Sequence, residues 1–122
     1  MSALPKRRLL KRDEVRGGVT NMIGLVIRAG VQPDQRHQLM QMFKETSCPC
    51  LERRVYGEAH VPSNLLLIEQ WSDKLAINSY LSSDQFHALI GAVKVLGKLV
   101  DVRIFEANSI RDLVMRLRVE AF

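Results

Sequence analysis

Four stretches of the chain alternate or run apolar in the way strands do, and four show the wider spacing of helices. In residues 22–30, Ile23, Leu25 and Ile27 alternate with Gly24, Val26 and Arg28, a period of two that predicts a strand. Residues 31–47 follow with Leu39, Met42 and Phe43 at helical spacing, and Pro33 suits a first helical turn, where its missing N–H is no loss. That helix should stop before Pro49. Residues 50–59 predict a second strand, with Leu51, Arg53 and Val55 on one face. Pro62, Ser63 and Asn64 predict a turn. Residues 65–71 predict a third strand, whose four consecutive apolar residues imply cover on both faces. Ser72 or Asp73 is placed to cap a helix carrying Leu75, Ala76, Tyr80 and Leu81. Ser83 or Asp84 restarts one carrying Phe86, Leu89, Ile90, Val93 and Leu96. Residues 100–107 alternate again, and Asn108 or Ser109 caps a last helix whose apolar face is Ile110, Leu113, Val114 and Leu117.

The predicted order is β-α-β-β-α-β with the second helix broken in two and a terminal helix added. This is an α+β, ferredoxin-like arrangement: an antiparallel sheet with helices on one face. The other face needs cover, from the tail and last helix or from a second copy of the sheet. The second copy is the more economical, so a two-fold homodimer is expected. The organisation read from the chain is an arm over 1–21, a domain over 22–107 and a C-terminal helix over 108–122, with Met22 able to serve as a translation start.

Charge sharpens this division. The chain of 122 residues has a formal net charge of +5. The first 21 residues hold six basic and two acidic side chains, so most of the excess sits in the arm. A basic arm can bind nucleic acid, but no aromatic residue interleaves it for base stacking, so contact with nucleic acid is not expected and a solvated or subunit-packing arm is. No apolar run approaches the roughly 20 residues that span a bilayer, and Leu9 and Leu10 between Arg8 and Lys11 do not make a signal sequence. Cys48 and Cys50 are too few for a secreted disulfide framework, a bridge between them closes a strained small ring, and no neighbouring Cys or His completes a soft-metal site. Two ordinary thiols in a reducing cytoplasm are expected.

The stretch "CLERRVYGEAHVPSNLLLIEQWSDKLAINSYLSSDQFHALIGAVKVLGKLVDVRIFEA" resembles the antibiotic biosynthesis monooxygenase family of dimeric α+β barrels. The matching features are "CL" at the opening of strand two, Glu69 and Trp71 as the "ExW" close of strand three, "YLSSDQFHAL" against the family's "HLxSxxFxxL", and the closing "FEA". With residues 22–49 the resemblance covers about 22–107. It implies a pocket between sheet and helices, one per subunit, taking a small apolar or aromatic ligand. It also implies a cofactor-free oxygenase of electron-rich quinol or phenolic substrates, which needs no metal. An apolar pocket with a few polar groups aimed at one substrate oxygen suffices for that chemistry.

The residues that the family's two well-understood chemistries use are mostly replaced here. The haem-degrading members' histidine ligand falls at Ile90, their asparagine falls near Ile27, and their helix tryptophan is Tyr80 here. The polyketide-oxidising members' asparagine and tyrosine fall at Leu67 and Ile77. These apolar replacements also suit a non-catalytic dimer that binds a ligand or a partner. The candidate site is therefore Trp71, Tyr80, Phe86, Glu69, Tyr56 and His87. Trp71 suits either a pocket wall or the core. Glu69 shares its strand face and is either a base or a salt-bridge partner. Tyr80 and His87 are the candidates for handling a proton, although His87 lies about 100° around its helix from Phe86 and suits solvent as well. Tyr56 suits donation to a substrate oxygen or packing at an interface.

Overall fold

In this computed structural model, residues 22–117 and 119–121 are described. The basic arm read at 1–21 lies outside the described residues. The elements run β1 (Met22–Val31), a short 3-10 turn (Pro33–Gln35), α1 (Arg36–Glu45), β2 (Glu52–Glu58), β3 (Val61–Trp71), α2 (Lys74–Leu81), α3 (Asp84–Leu96), β4 (Gly97–Ala107), α4 (Ile110–Leu117) and β5 (Val119–Ala121). The strands form one antiparallel sheet in the order β4-β1-β3-β2-β5. Its first four strands have the predicted ferredoxin-like order.

The helix starts follow from capping. The Asp73 carboxylate accepts the Ala76 N–H at 2.8 Å and starts α2. The Ser83 hydroxyl accepts the Phe86 N–H at 3.1 Å and starts α3. Ser109 does the same for Asp112 N–H at 3.0 Å at the start of α4. Each cap satisfies a donor that the first helical turn leaves orphaned.

Two boundaries differ from the expected ones. Pro62, Ser63 and Asn64 are not the turn; the hairpin reverses at Ala59 and His60, and β3 already begins at Val61. An extended strand start suits the fixed φ of proline, and the Asn64 amide donates to the Glu58 carboxylate at 2.8 Å across the hairpin. The last helix stops at Leu117, and Val119–Ala121 then add a strand to the free edge of β2.

The sheet has two covered faces. On the front, Leu25, Ile27, Leu65, Leu67 and Trp71 pack against Leu39 and Phe43 of α1, Ile77 and Tyr80 of α2, and Leu89 of α3. On the back, Met22, Val26, Leu66 and Ile68 pack against Ile110 and Leu113 of α4. The run of apolar residues in β3 is thus divided alternately between two cores, as a strand covered on both faces requires. The chain's own last helix supplies that back cover over part of the sheet. It comes so close that a Cβ on Gly24 would lie 2.5 Å from Leu113 Cδ2. Beyond α4 the back face turns ionic. Arg28 bridges Glu58 at 3.2 Å and Asp101 at 2.9 Å. Among the described residues no helix is long and apolar enough to cross a membrane.

The junction of α3 and β4 has no room for a side chain. Gly97 is extended, so its backbone is open to any residue, but a Cβ there would fall on the carbonyl of Gly30 in the neighbouring strand. Gly91, exposed within α3, has nothing within 4 Å of such a Cβ. Gly97→Ala is expected to destabilise by about 1–3 kcal/mol through overpacking. Gly91→Ala is expected to stabilise by about 0.5–1 kcal/mol through helix propensity. Urea denaturation of the two variants checks this pair of opposite signs.

Candidate active site

β3 delivers Leu65, Leu67, Glu69 and Trp71 to the front face by its period of two. Glu69 is thereby carried into a hydrophobic layer and is fully buried. A lone carboxylate there is untenable. The register of the β2–β3 hairpin places Arg53 directly opposite it. Arg53 Nε and Nη2 both donate to Glu69 Oε2, at 3.0 and 2.6 Å. The other carboxylate oxygen accepts the Trp71 indole N–H at 3.2 Å.

Arg53 does more than neutralise the carboxylate. Its Nη1 donates to the carbonyl of Phe43 at 2.9 Å and to that of Thr46, so the guanidinium caps the C-terminal end of α1. That end carries partial negative charge and unpaired carbonyls, which suits a cation. Burial works against the charge of Arg53, but the adjacent Glu69 carboxylate outweighs it and holds the guanidinium pKa above its ordinary value.

The same cation reaches the aromatic cluster. Arg53 Nη2 lies 3.4 Å from the Tyr80 hydroxyl oxygen, which accepts. The Tyr80 ring sits 4.8 Å from Trp71, tilted by 36°, and 5.3 Å from Phe86, edge-on. Burial, with the charge of Glu69 adding to it, pushes the Tyr80 phenol well above its usual range. Tyr80 therefore stays protonated, and its O–H remains a donor.

Trp71 and Tyr80 form one wall of an open pocket of about 380 Å³, with Pro49, Ser79, Ser83 and Gln85 around it. Gln85 closes one side by donating to Ser47 through its carbonyl and its hydroxyl, both at 2.8 Å. That contact ties α3 to the loop between α1 and β2. A second cleft of about 530 Å³, on Gly30, Gln32, Ser63, Asn64, Lys98 and Val100, is larger but has Lys98 as its one titratable group among the described residues. The smaller pocket carries the aromatic wall, and Tyr80 connects that wall to the ion pair behind it.

Of the six residues expected at the site, the structure brings together Trp71, Tyr80, Phe86 and Glu69. Trp71 is both pocket wall and core, which resolves its two readings into one. Glu69 is a salt-bridge partner with both oxygens engaged. Phe86 is buried behind Tyr80 rather than lining the pocket. Tyr56 is not there. The alternation that turns Arg53 and Val55 forward turns Tyr56 to the back, beside Leu66 and Ile68. His87 is exposed on α3, its ring 6.3 Å from Phe86 and outside the pocket lining.

Arg53 is the residue that sequence reasoning passed over. Its signal was present: a glutamate between Leu67 and Trp71 on a covered strand face demands a cation on the neighbouring strand. Among the described residues, Cys48, Cys50 and Glu69 each bring one ligand-capable atom within 4.8 Å of the others. Arg53 already supplies the positive charge that this group would otherwise seek.

No family model matches the chain, and no curated protein matches it. Solved structures do share its fold. A Bacteroides thetaiotaomicron protein of unknown function, described as a possible oxidoreductase, is 18% identical with a TM-score of 0.59, over 71% of this chain and 98% of its own. A candidate antibiotic biosynthesis monooxygenase from Chloroflexus aurantiacus is 21% identical with a TM-score of 0.55, over 70% and 92%. Another from Deinococcus radiodurans is 18% identical with a TM-score of 0.52, over 74% and 92%. The likeness is one of fold, and it is the fold that the sequence motifs imply.

Breaking the buried pair from one side should be worse than removing it. Arg53→Met alone leaves Glu69 uncompensated and is expected to destabilise by about 3–5 kcal/mol. Arg53→Met combined with Glu69→Leu is expected to recover most of that loss. Urea unfolding of the single and double variants measures the difference.

Proposed function

We propose that the chain is a small-molecule oxygenase of the cofactor-independent kind, acting on an electron-rich phenol or quinol. The observation that carries this reading is the protonated Tyr80 hydroxyl, backed by the Arg53 guanidinium, in the aromatic wall of the pocket. The fold's likeness to candidate antibiotic biosynthesis monooxygenases supports it.

Such a substrate reacts with dioxygen once it has lost a proton. The Tyr80 O–H donates to the substrate's oxyanion, and Arg53 behind it adds positive charge on the same side. Trp71 and Tyr80 strip water from the ring and orient it, which strengthens the polar contacts. The open mouth lets solvent take the proton, because both oxygens of Glu69 are occupied. The anion supplies the electrons to dioxygen. In an anthrone-type case a ring methylene becomes a carbonyl, one oxygen atom entering the product and the other leaving as water. His87 and Tyr56 have no part in this scheme.

We also infer a two-fold homodimer through edge strand β4 and the ionic part of the back face. Among the described residues, β4 pairs on one side only, exposes Val100 and Ile104, and holds Asp101 Oδ1 buried with no hydrogen-bond partner. Sedimentation at micromolar concentration is expected to give the dimer, and a monomer there dismisses it.

Oxygen consumption with anthrones and hydroquinones between pH 6 and 9 tests the activity. Uptake above the uncatalysed rate is expected, and Tyr80→Phe should lower kcat by about a hundredfold, as loss of one oxyanion donor does. No uptake at any of these pH values removes the oxygenase reading. Quenching of the single tryptophan, Trp71, by a quinol without uptake would point to a non-catalytic ligand-binding module.

A further inference from the structure

We propose that Cys48 and Cys50 are a redox-active dithiol that exchanges with small disulfides. The inference is independent of the oxygenase reading. Both residues lie on the loop between α1 and β2, and both are partly exposed. The loop turns the two side chains toward each other. The Cys50 backbone N–H donates to Cys48 Sγ at 3.3 Å, and the two sulfurs and the Glu69 carboxylate lie within 4.8 Å of one another. Pro49 between them is exposed and forms part of the pocket rim, so a small molecule has a route to the thiols.

Cys48 Sγ has a backbone donor, and Arg53, paired with the neighbouring Glu69, brings a cation close to the loop. Both favour a thiolate here, and attack by thiols depends on the thiolate.

The exchange balances without a further reagent. One cysteine, as thiolate, attacks one sulfur of a small disulfide RSSR, forming the mixed disulfide and releasing RS⁻. The other cysteine then gives its proton to RS⁻ and attacks the first cysteine's sulfur, forming the Cys48–Cys50 bond and releasing the second RS⁻, which solvent protonates. The protein dithiol is oxidised and RSSR is reduced to two thiols. A bridge between residues two apart is strained, and strained disulfides have the more oxidising potentials typical of exchanging rather than structural bonds.

The full chain, reduced and then incubated with glutathione disulfide, tests the proposal, because these are its only two cysteines. Intact mass should show the loss of two hydrogens in the parent. Cys48→Ser and Cys50→Ser should each stop at a single stable glutathione adduct, because neither keeps a resolving thiol. On the parent itself, peptide mapping should place the two lost hydrogens in a Cys48–Cys50 bond, a readout that does not depend on how the serine variants fold. A parent that keeps both thiols at every glutathione ratio overturns the proposal, and so does one that carries two glutathione adducts and no internal bond.

Discussion

A carboxylate with no water around it has to be answered by a cation, and the answer given to Glu69 organises the front of this molecule. Arg53 faces it across the hairpin, caps the end of α1 through two carbonyls, and touches the hydroxyl of Tyr80 on α2. One guanidinium thus fixes the relative positions of two strands and two helices. Hydrophobic replacements often serve stability as well as a buried ion pair does. What leucine and methionine could not do is present charge to the phenol of Tyr80 or orient the Trp71 indole.

The sheet's two faces divide the labour. The front holds the aromatic pocket and the ion pair that aligns it. The back is sealed over its apolar part by α4, with Gly24 leaving space for Leu113. The rest of the back is held by Arg28 between Glu58 and Asp101, so what stays uncovered there is charged rather than greasy. This changes what a neighbouring subunit would meet. The pattern left this face to the tail and last helix or to a second copy, and α4 covers its apolar part.

Most of the fold was legible because its signals are local. Alternation in β1, the caps at Asp73, Ser83 and Ser109, and the unbroken Leu65–Ile68 run each reflect a constraint within a few residues. The errors came where a local signal had a second use. Pro62 serves a strand start as readily as a turn. Val119–Ala121 is too short to show a period and becomes a strand only because β2 offers an edge. The site was harder. Glu69 and Trp71 were found through the motif that carries the family resemblance, but Arg53 acquires its role from register with β3, which the pattern of β2 alone does not set. Tyr56 was misplaced for the same reason that Arg53 was missed: the two lie on opposite sides of one strand. His87 sits one step around α3 from Phe86, and that step carries it to solvent.

The placement of β1 bears on how the molecule is made. β1 begins the described chain yet lies inside the sheet, between β3 and β4, with Met22 paired to Ala107. During synthesis its inner edge waits unpaired until nearly the whole domain has emerged, and Val26 and Met22 stay uncovered until α4 follows. Assembly therefore hinges on contacts between distant parts of the chain, a topology that folds slowly for its size. Until β4 emerges the growing chain carries one unpaired edge of an apolar strand, the kind of exposure that chaperones shield.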